Sequence, residues 1–159
     1  MARPGEVEHA EAVRRLLDGL RAGDEAHDIG RALWDLHPKN NTFPGEVFIN
    51  LAAISLDLAA ASSEQLVEYE GLLSKFLPEC QFRGRENSKV KFAVLAAAAR
   101  RGGLEAGLLD EVVWWGTDDF WQYALYAAVA LARACADRQG VTVAEHAEAL
   151  AERAGVKPR

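Results

Sequence analysis

Between residues 80 and 103 the chain sets Arg83, Arg85, Lys89, Lys91, Arg100 and Arg101 against a single carboxylate, Glu86. This segment carries a net +5 in a chain whose formal net charge is −6. Cationic side chains in a loop just ahead of a helix N-terminus are the donors that hold phosphate or another small anion. Arg83, Arg85, Lys89 and Lys91 are therefore the anion-contact candidates. The competing reading is a solvated loop, followed by a helix whose basic last turn, Arg100 and Arg101, complements the helix dipole. Nucleic acid is not the expected partner, because the net negative charge opposes general polyanion affinity.

A second group of candidates comes from two nearly apolar segments. In residues 45–61 the polar side chains Glu46, Asn50 and Asp57 fall on one thin helical stripe. In 117–138, Gln122, Tyr126 and Arg133 do the same. If the two helices faced each other with these stripes inward, Asn50, Asp57, Gln122, Tyr126 and Arg133 would be the few convergent polar groups of an otherwise apolar ligand or active-site pocket. Trp114, Trp115 and Trp121, with Phe120, cluster around one helix break. Tryptophans serve as interface anchors, but a cluster of this kind is more often the corner of a core; these three are the partner-binding candidates against that reading.

The histidines give weak signals. Glu6 with His9 and Asp24 with His27 have the i, i+3 spacing of a di-iron ligand pair, but that architecture needs further inward carboxylates, and Asp24 is better used as a helix cap. His9, His27 and His146 read as structural or solvated, and His37 sits near Asn40 and Asn41 in a turn. Cys80 lies close to Arg83 and Arg85, which would lower its thiol pKa if they folded over it, yet no histidine partner is nearby in sequence. The chain holds no phosphate-binding glycine loop, dinucleotide fingerprint, nucleophile elbow, H-E-x-x-H or C-x-x-C. No metal or cofactor is expected, and an enzyme is left open without support.

The elements that must carry these residues are helices throughout. Residues 117–138 form the expected central helix: Thr117 is suited to cap it, Asp118 and Asp119 fit its first turn, Gly140 stops it, and the apolar run between is too short to span a bilayer. Its alanines at 124, 127, 128, 130, 132, 134 and 136 let neighbouring helices approach closely. Ahead of it, apolar residues at helical spacing mark 7–20, closed by Gly23, and a segment from 24, capped by Asp24 and stopped by Pro38. The turn-rich HPKNNTFP follows. Residues 45–61 come next, then a helix opened by a Ser62–Gln65 capping box and ended by Pro78. A loop at 78–88 precedes a helix starting near Ser88 and ending at Gly102-Gly103, and another places Leu104, Leu108, Val112 and Trp115 on one face. Thr142 and Glu145 make a second capping box for the last helix.

No stretch alternates with period two over strand length, so the expected fold is all-α. It comprises about eight helices in antiparallel hairpins, as an irregular bundle or a short solenoid-like stack around 117–138, in one domain spanning 1–159. Residues 1–5 and 156–159 are expected to fray. Composition is ordinarily globular, half apolar and about a quarter charged. No segment is long and apolar enough for a membrane span, and the N-terminal residues lack the apolar core of a signal peptide; the expected location is the cytoplasm, with Cys80 and Cys135 reduced. The leading functional expectation is a noncatalytic helical module that binds a protein or peptide and self-associates. The alternatives are a small-ligand binder or enzyme with its pocket between 45–61 and 117–138, and an anion or nucleic-acid contact through the basic loop 83–91.

Overall fold

A computed structural model of the chain describes residues 4–34, 45–59, 69–78, 80, 84–101 and 120–156. Among these residues every regular element is a helix: α1 (Pro4–Ala22), α2 (Ala26–Trp34), α3 (Gly45–Leu58), α4 (Tyr69–Phe76), α5 (Arg85–Arg101), α6 (Phe120–Gln139) and α7 (Val143–Ala154). The expected caps at Thr117 and Ser62, the turn 37–44 and the helix through Leu104 and Val112 lie outside the described residues.

Helix α6 is the centre of the packing. It lies against α2, α3, α4, α5 and α7, while α3 and α5 also pack on each other, so that α3, α5 and α6 enclose the core together. Ala124, Ala127, Ala128, Ala130, Ala132 and Ala136 are all at most 2% exposed, which leaves α6 covered on nearly every side. A helix with methyl groups in place of long side chains gives up little contact area of its own and lets five neighbours close in. Around it Leu16, Leu17, Leu20, Ile29, Leu33, Phe48, Ile49, Leu56, Leu77, Val90 and Leu150 complete one continuous cluster. Chain neighbours α1 and α2 pack together, as do α6 and α7, but α4 lies chiefly on α6 and α1 lies chiefly on α7, so the packing also joins helices remote in sequence.

The helix ends follow from local chemistry. At Thr142 the side-chain oxygen accepts from the Glu145 amide at 3.1 Å, and the Glu145 carboxylate accepts from the Thr142 amide at 3.3 Å, the reciprocal capping box expected there. α1, α6 and α7 each end in a paired set of backbone bonds around a left-handed glycine, Gly23, Gly140 and Gly155. For α7 the Val156 amide donates to Ala151 at 2.9 Å and the Gly155 amide to Glu152 at 3.2 Å, a closure that needs positive φ at the glycine. Val156 then packs back on the core, and α1 begins at Pro4.

Two expected starts move. The carbonyl that accepts the first helical bond of α2 belongs to Glu25, from Ile29 at 3.0 Å, so Asp24 sits one residue outside the cap position. Helix α5 begins at Arg85 rather than near Ser88: Gly84 precedes it with φ +56°, and the Ser88 hydroxyl donates back to the Gly84 carbonyl at 3.3 Å from inside the first turn.

Close approach of α1 and α2 depends on Gly19. A Cβ placed there would stand 2.5 Å from Cγ1 and 2.8 Å from Cδ1 of the buried Ile29. Isoleucine is stiff about χ1 in a helix and cannot swing away freely. Gly19→Val is therefore expected to lower stability by about 2–3 kcal/mol, the cost of overpacking, despite the better helix propensity of a non-glycine residue. Chemical denaturation midpoints of the two proteins measure it; an unchanged or raised midpoint would show that the α1–α2 contact yields without cost.

Candidate functional site

The two polar stripes do not meet. On α3, Asp57 reaches sideways to α7, where its carboxylate accepts from Arg153, and Asn50 lies about two turns away on a groove formed with α1 and α7. On α6, Gln122 and Tyr126 line a separate small pocket against α2. Arg133 belongs to neither: one terminal nitrogen donates to the Phe76 carbonyl at 2.7 Å, the other to the Asp24 carbonyl, so its guanidinium holds the end of α4 and the α1–α2 link against α6. A common pocket floored by Asn50, Asp57, Gln122, Tyr126 and Arg133 is not what the packing builds. α3 and α6 do face each other, but with their apolar sides.

The basic segment is also divided. Arg83 lies outside the described residues and Arg85 is the first residue of α5. Lys89 and Lys91 stand two residues apart on a helix and so on opposed faces. Lys89 is buried, with its ammonium 5.0 Å from the centre of the Tyr123 ring, and Lys91 is exposed. A buried ammonium over an aromatic face is a cation–π contact inside the fold rather than part of a solvent-facing anion cluster. Trp121 is core: it is 1% exposed, with its ring centroid 6.4 Å from that of Phe48. Trp114 and Trp115 lie outside the described residues. Cys80 is half-buried against the core, Cys135 is buried, and both are free thiols.

One polar cluster escaped sequence reasoning. His146 of α7 is buried between α3 and α6, its Nδ1 2.8 Å from Oε1 of Gln139 and its Nε2 3.0 Å from the Ser55 hydroxyl. Gln139 orients the set, because its Nε2 donates to the Leu58 carbonyl at 3.0 Å, which turns its oxygen toward the imidazole. Nδ1 is then the donor and Nε2 accepts the Ser55 proton. Hydroxyl, imidazole and orienting amide stand in the order of a nucleophile, a base and its positioning group. Two features argue against that chemistry here. Ser55 is 0% exposed and His146 1%, and neither lines either pocket described here. The signal was available in the spacing: His146 lies three residues after Val143 and four before Leu150, on the inward face of its helix.

The larger concavity runs between α1, α3 and α7, with a volume of about 450 Å³. Val47, Asn50, Leu51 and Ile54 form its α3 wall at spacings of three and four, and Ala10, Val13 and Arg14 form its α1 wall. It exists because α1 and α3 touch only sparingly; α7 lies between them and its small final residues, Ala154 and Gly155, leave the space open. Among the described residues no three His, Cys, Asp or Glu side chains converge to hold a metal ion, and no helix is long and apolar enough to cross a membrane.

The buried imidazole makes stability depend on pH. Burial holds the His146 pKa below its ordinary value of 6.5. As pH falls below 6.5 the unfolded chain takes up a proton at this position that the folded chain resists, so stability is complete above that pH and is lost from there down to the lower folded-state pKa. In His146→Gln this part of the loss disappears. The stability difference between wild type and variant, from urea unfolding at a series of pH values, is expected to shrink as pH falls below 6.5; parallel curves would refute the assignment. Comparison of the chain with protein-family models, characterised proteins and solved structures finds no match, and the functional reading rests on the geometry of these sites.

Proposed function

We propose that this chain is a noncatalytic helical interaction module that receives an apolar helical segment of a protein partner, a second copy of itself included, in the groove between α1, α3 and α7. The observation that carries the reading is the make-up of that groove. The α3 wall presents apolar Val47, Leu51 and Ile54 at i, i+4 and i+7, and the α1 wall presents Ala10 and Val13 three apart, an apolar surface of the kind that receives one face of an amphipathic helix. Arg14 and Asn50 are the polar side chains along it, placed to fix orientation rather than to do chemistry. Among the described residues the arrangement with the parts of a hydrolytic site, Ser55 with His146 and Gln139, has its hydroxyl and imidazole buried in the core.

Interface energy concentrates in a few apolar anchors that fill such pockets, so a charge at the centre of the wall removes most of it. Ile54 is half-buried and lines the groove. Light scattering at high micromolar concentration is expected to show a reversible dimer for wild type and a monomer for Ile54→Lys, with unchanged helical circular dichroism. A strict monomer for wild type removes self-association. For a different partner, selection from a displayed library of helical peptides is expected to enrich sequences with large apolar residues three and four apart on wild type only. Equal enrichment on Ile54→Lys would overturn the groove as the binding face.

A further inference from the structure

Between α2 and α6 lies a small, partly open cavity of about 190 Å³, lined by His27, Gly30, Arg31, Gln122 and Tyr126. We propose that this cavity is a binding site for a small organic monocarboxylate, held by the Arg31 guanidinium and the Gln122 amide.

The donors are arranged for an acceptor that the chain itself does not supply. Arg31 Nη2 lies 3.2 Å from Nε2 of His27; a guanidinium has no acceptor, so His27 Nε2 accepts and Arg31 donates. Among the described residues Arg31 makes no ion pair, although Asp28 shares its helix, and its remaining N–H groups are open to a further acceptor. The planar fork of arginine matches a carboxylate with two parallel hydrogen bonds, a geometry that ammonium cannot offer. Gln122 is half-buried against the same cavity and its amide has no hydrogen-bond partner among the described residues. It supplies a neutral donor for one carboxylate oxygen and an acceptor for any hydroxyl beside it.

Gly30 opens the space. The two helices come close here: a Cβ at Gly30 would stand 3.3 Å from Cδ2 of Leu125 and 3.9 Å from the Tyr126 hydroxyl. With no side chain at this position the backbone forms the floor, and the Tyr126 ring forms a wall for the apolar part of the ligand. Size and charge narrow the class. The volume lies below the roughly 300–1,000 Å³ of sites that enclose drug-sized ligands and cofactors, which excludes nucleotides. One arginine against one anionic group balances a monocarboxylate and leaves a dianion uncompensated. This cavity shares no residue with the α1–α3–α7 groove, so the inference stands independently of the module reading.

The test is a two-dimensional amide NMR titration of the full chain with sodium acetate, propionate and benzoate, with sodium chloride and sodium phosphate at matched ionic strength as controls. The expected result is saturable shifts at the backbone signals of Gly30 and Arg31 and at the side-chain amide of Gln122 with at least one carboxylate, and linear, weak shifts with chloride. Arg31→Gln is expected to weaken that binding at least tenfold and Gln122→Ala by a smaller factor; Arg31 is exposed, so its removal leaves the fold intact, which the remaining signals report. Shifts that never saturate for any carboxylate, saturation unchanged in Arg31→Gln, or tighter binding of phosphate than of every carboxylate would each overturn the assignment.

Discussion

Everything in this fold depends on a helix that is covered on nearly every side. α6 is covered by five other helices, and a backbone cylinder in that position can be accommodated only if its side chains are small enough for neighbours to reach it and its few polar groups find partners at the ends of those neighbours. Both conditions are met by sequence. Alanine occupies the contact positions, and in the C-terminal half of α6, from Arg133 to Gln139, the polar residues bond to neighbouring helices and their ends. Arg133 takes the last carbonyl of α4 and the link before α2, Arg138 and Gln139 take the carbonyls of Ala59 and Leu58 at the end of α3, and Asp137 pairs with Lys75 of α4 at 3.0 Å. Carbonyls at a helix C-terminus lack intrahelical donors, so each bond satisfies a group that would otherwise depend on water.

These bonds differ in worth. Lys75 and Asp137 are more than half exposed and the pair contributes little, as surface ion pairs do. In the Ser55–His146–Gln139 set the hydroxyl and the imidazole are buried, and there the asymmetry between a made and an unmade hydrogen bond governs: each contributes about 1 kcal/mol when present, whereas a buried polar atom stripped of its partner costs about 1–3 kcal/mol. The set bridges α3, α6 and α7 at one level of the core. An apolar layer would tolerate sliding between these helices; a three-membered chain of fixed donors and acceptors accepts only one register.

The sequence was informative wherever a single element decides the outcome. The capping box at Thr142 and Glu145, the glycine stops at Gly23, Gly140 and Gly155, and the all-round apolar character of α6 are local properties and could be read in advance. Side chains that reach a second element could not. Arg133 and Tyr126 lie on one stripe of a helical wheel, but a long arginine goes to whichever carbonyls tertiary packing brings near, and those belong to Phe76 and Asp24, 57 and 109 residues away. Trp121 could be core or anchor until Phe48 was beside it. His146 could be read no further than structural or solvated, because a lone histidine is uninformative until its helix face is considered, and then its partners Ser55 and Gln139 are still unknown.

The basic segment shows why charge counted along a chain is a poor guide to charge gathered in space. A loop could fold its cations together, but once the helix begins at Arg85 successive residues turn by 100° and the cluster is dispersed around a cylinder. Lys89 goes inward over Tyr123 and Lys91 outward, and Arg101 stands about 24 Å from Arg85 along the axis. The small cavity beside α2 arises in the reverse way. Arg31, His27 and Gln122 form no cluster in the sequence, and they are brought to one space because Gly30 lets α2 approach α6 closely. Convergence of functional groups in a helical protein is thus decided by where two helices come nearest, and such points are marked by the smallest residues rather than by the charged ones.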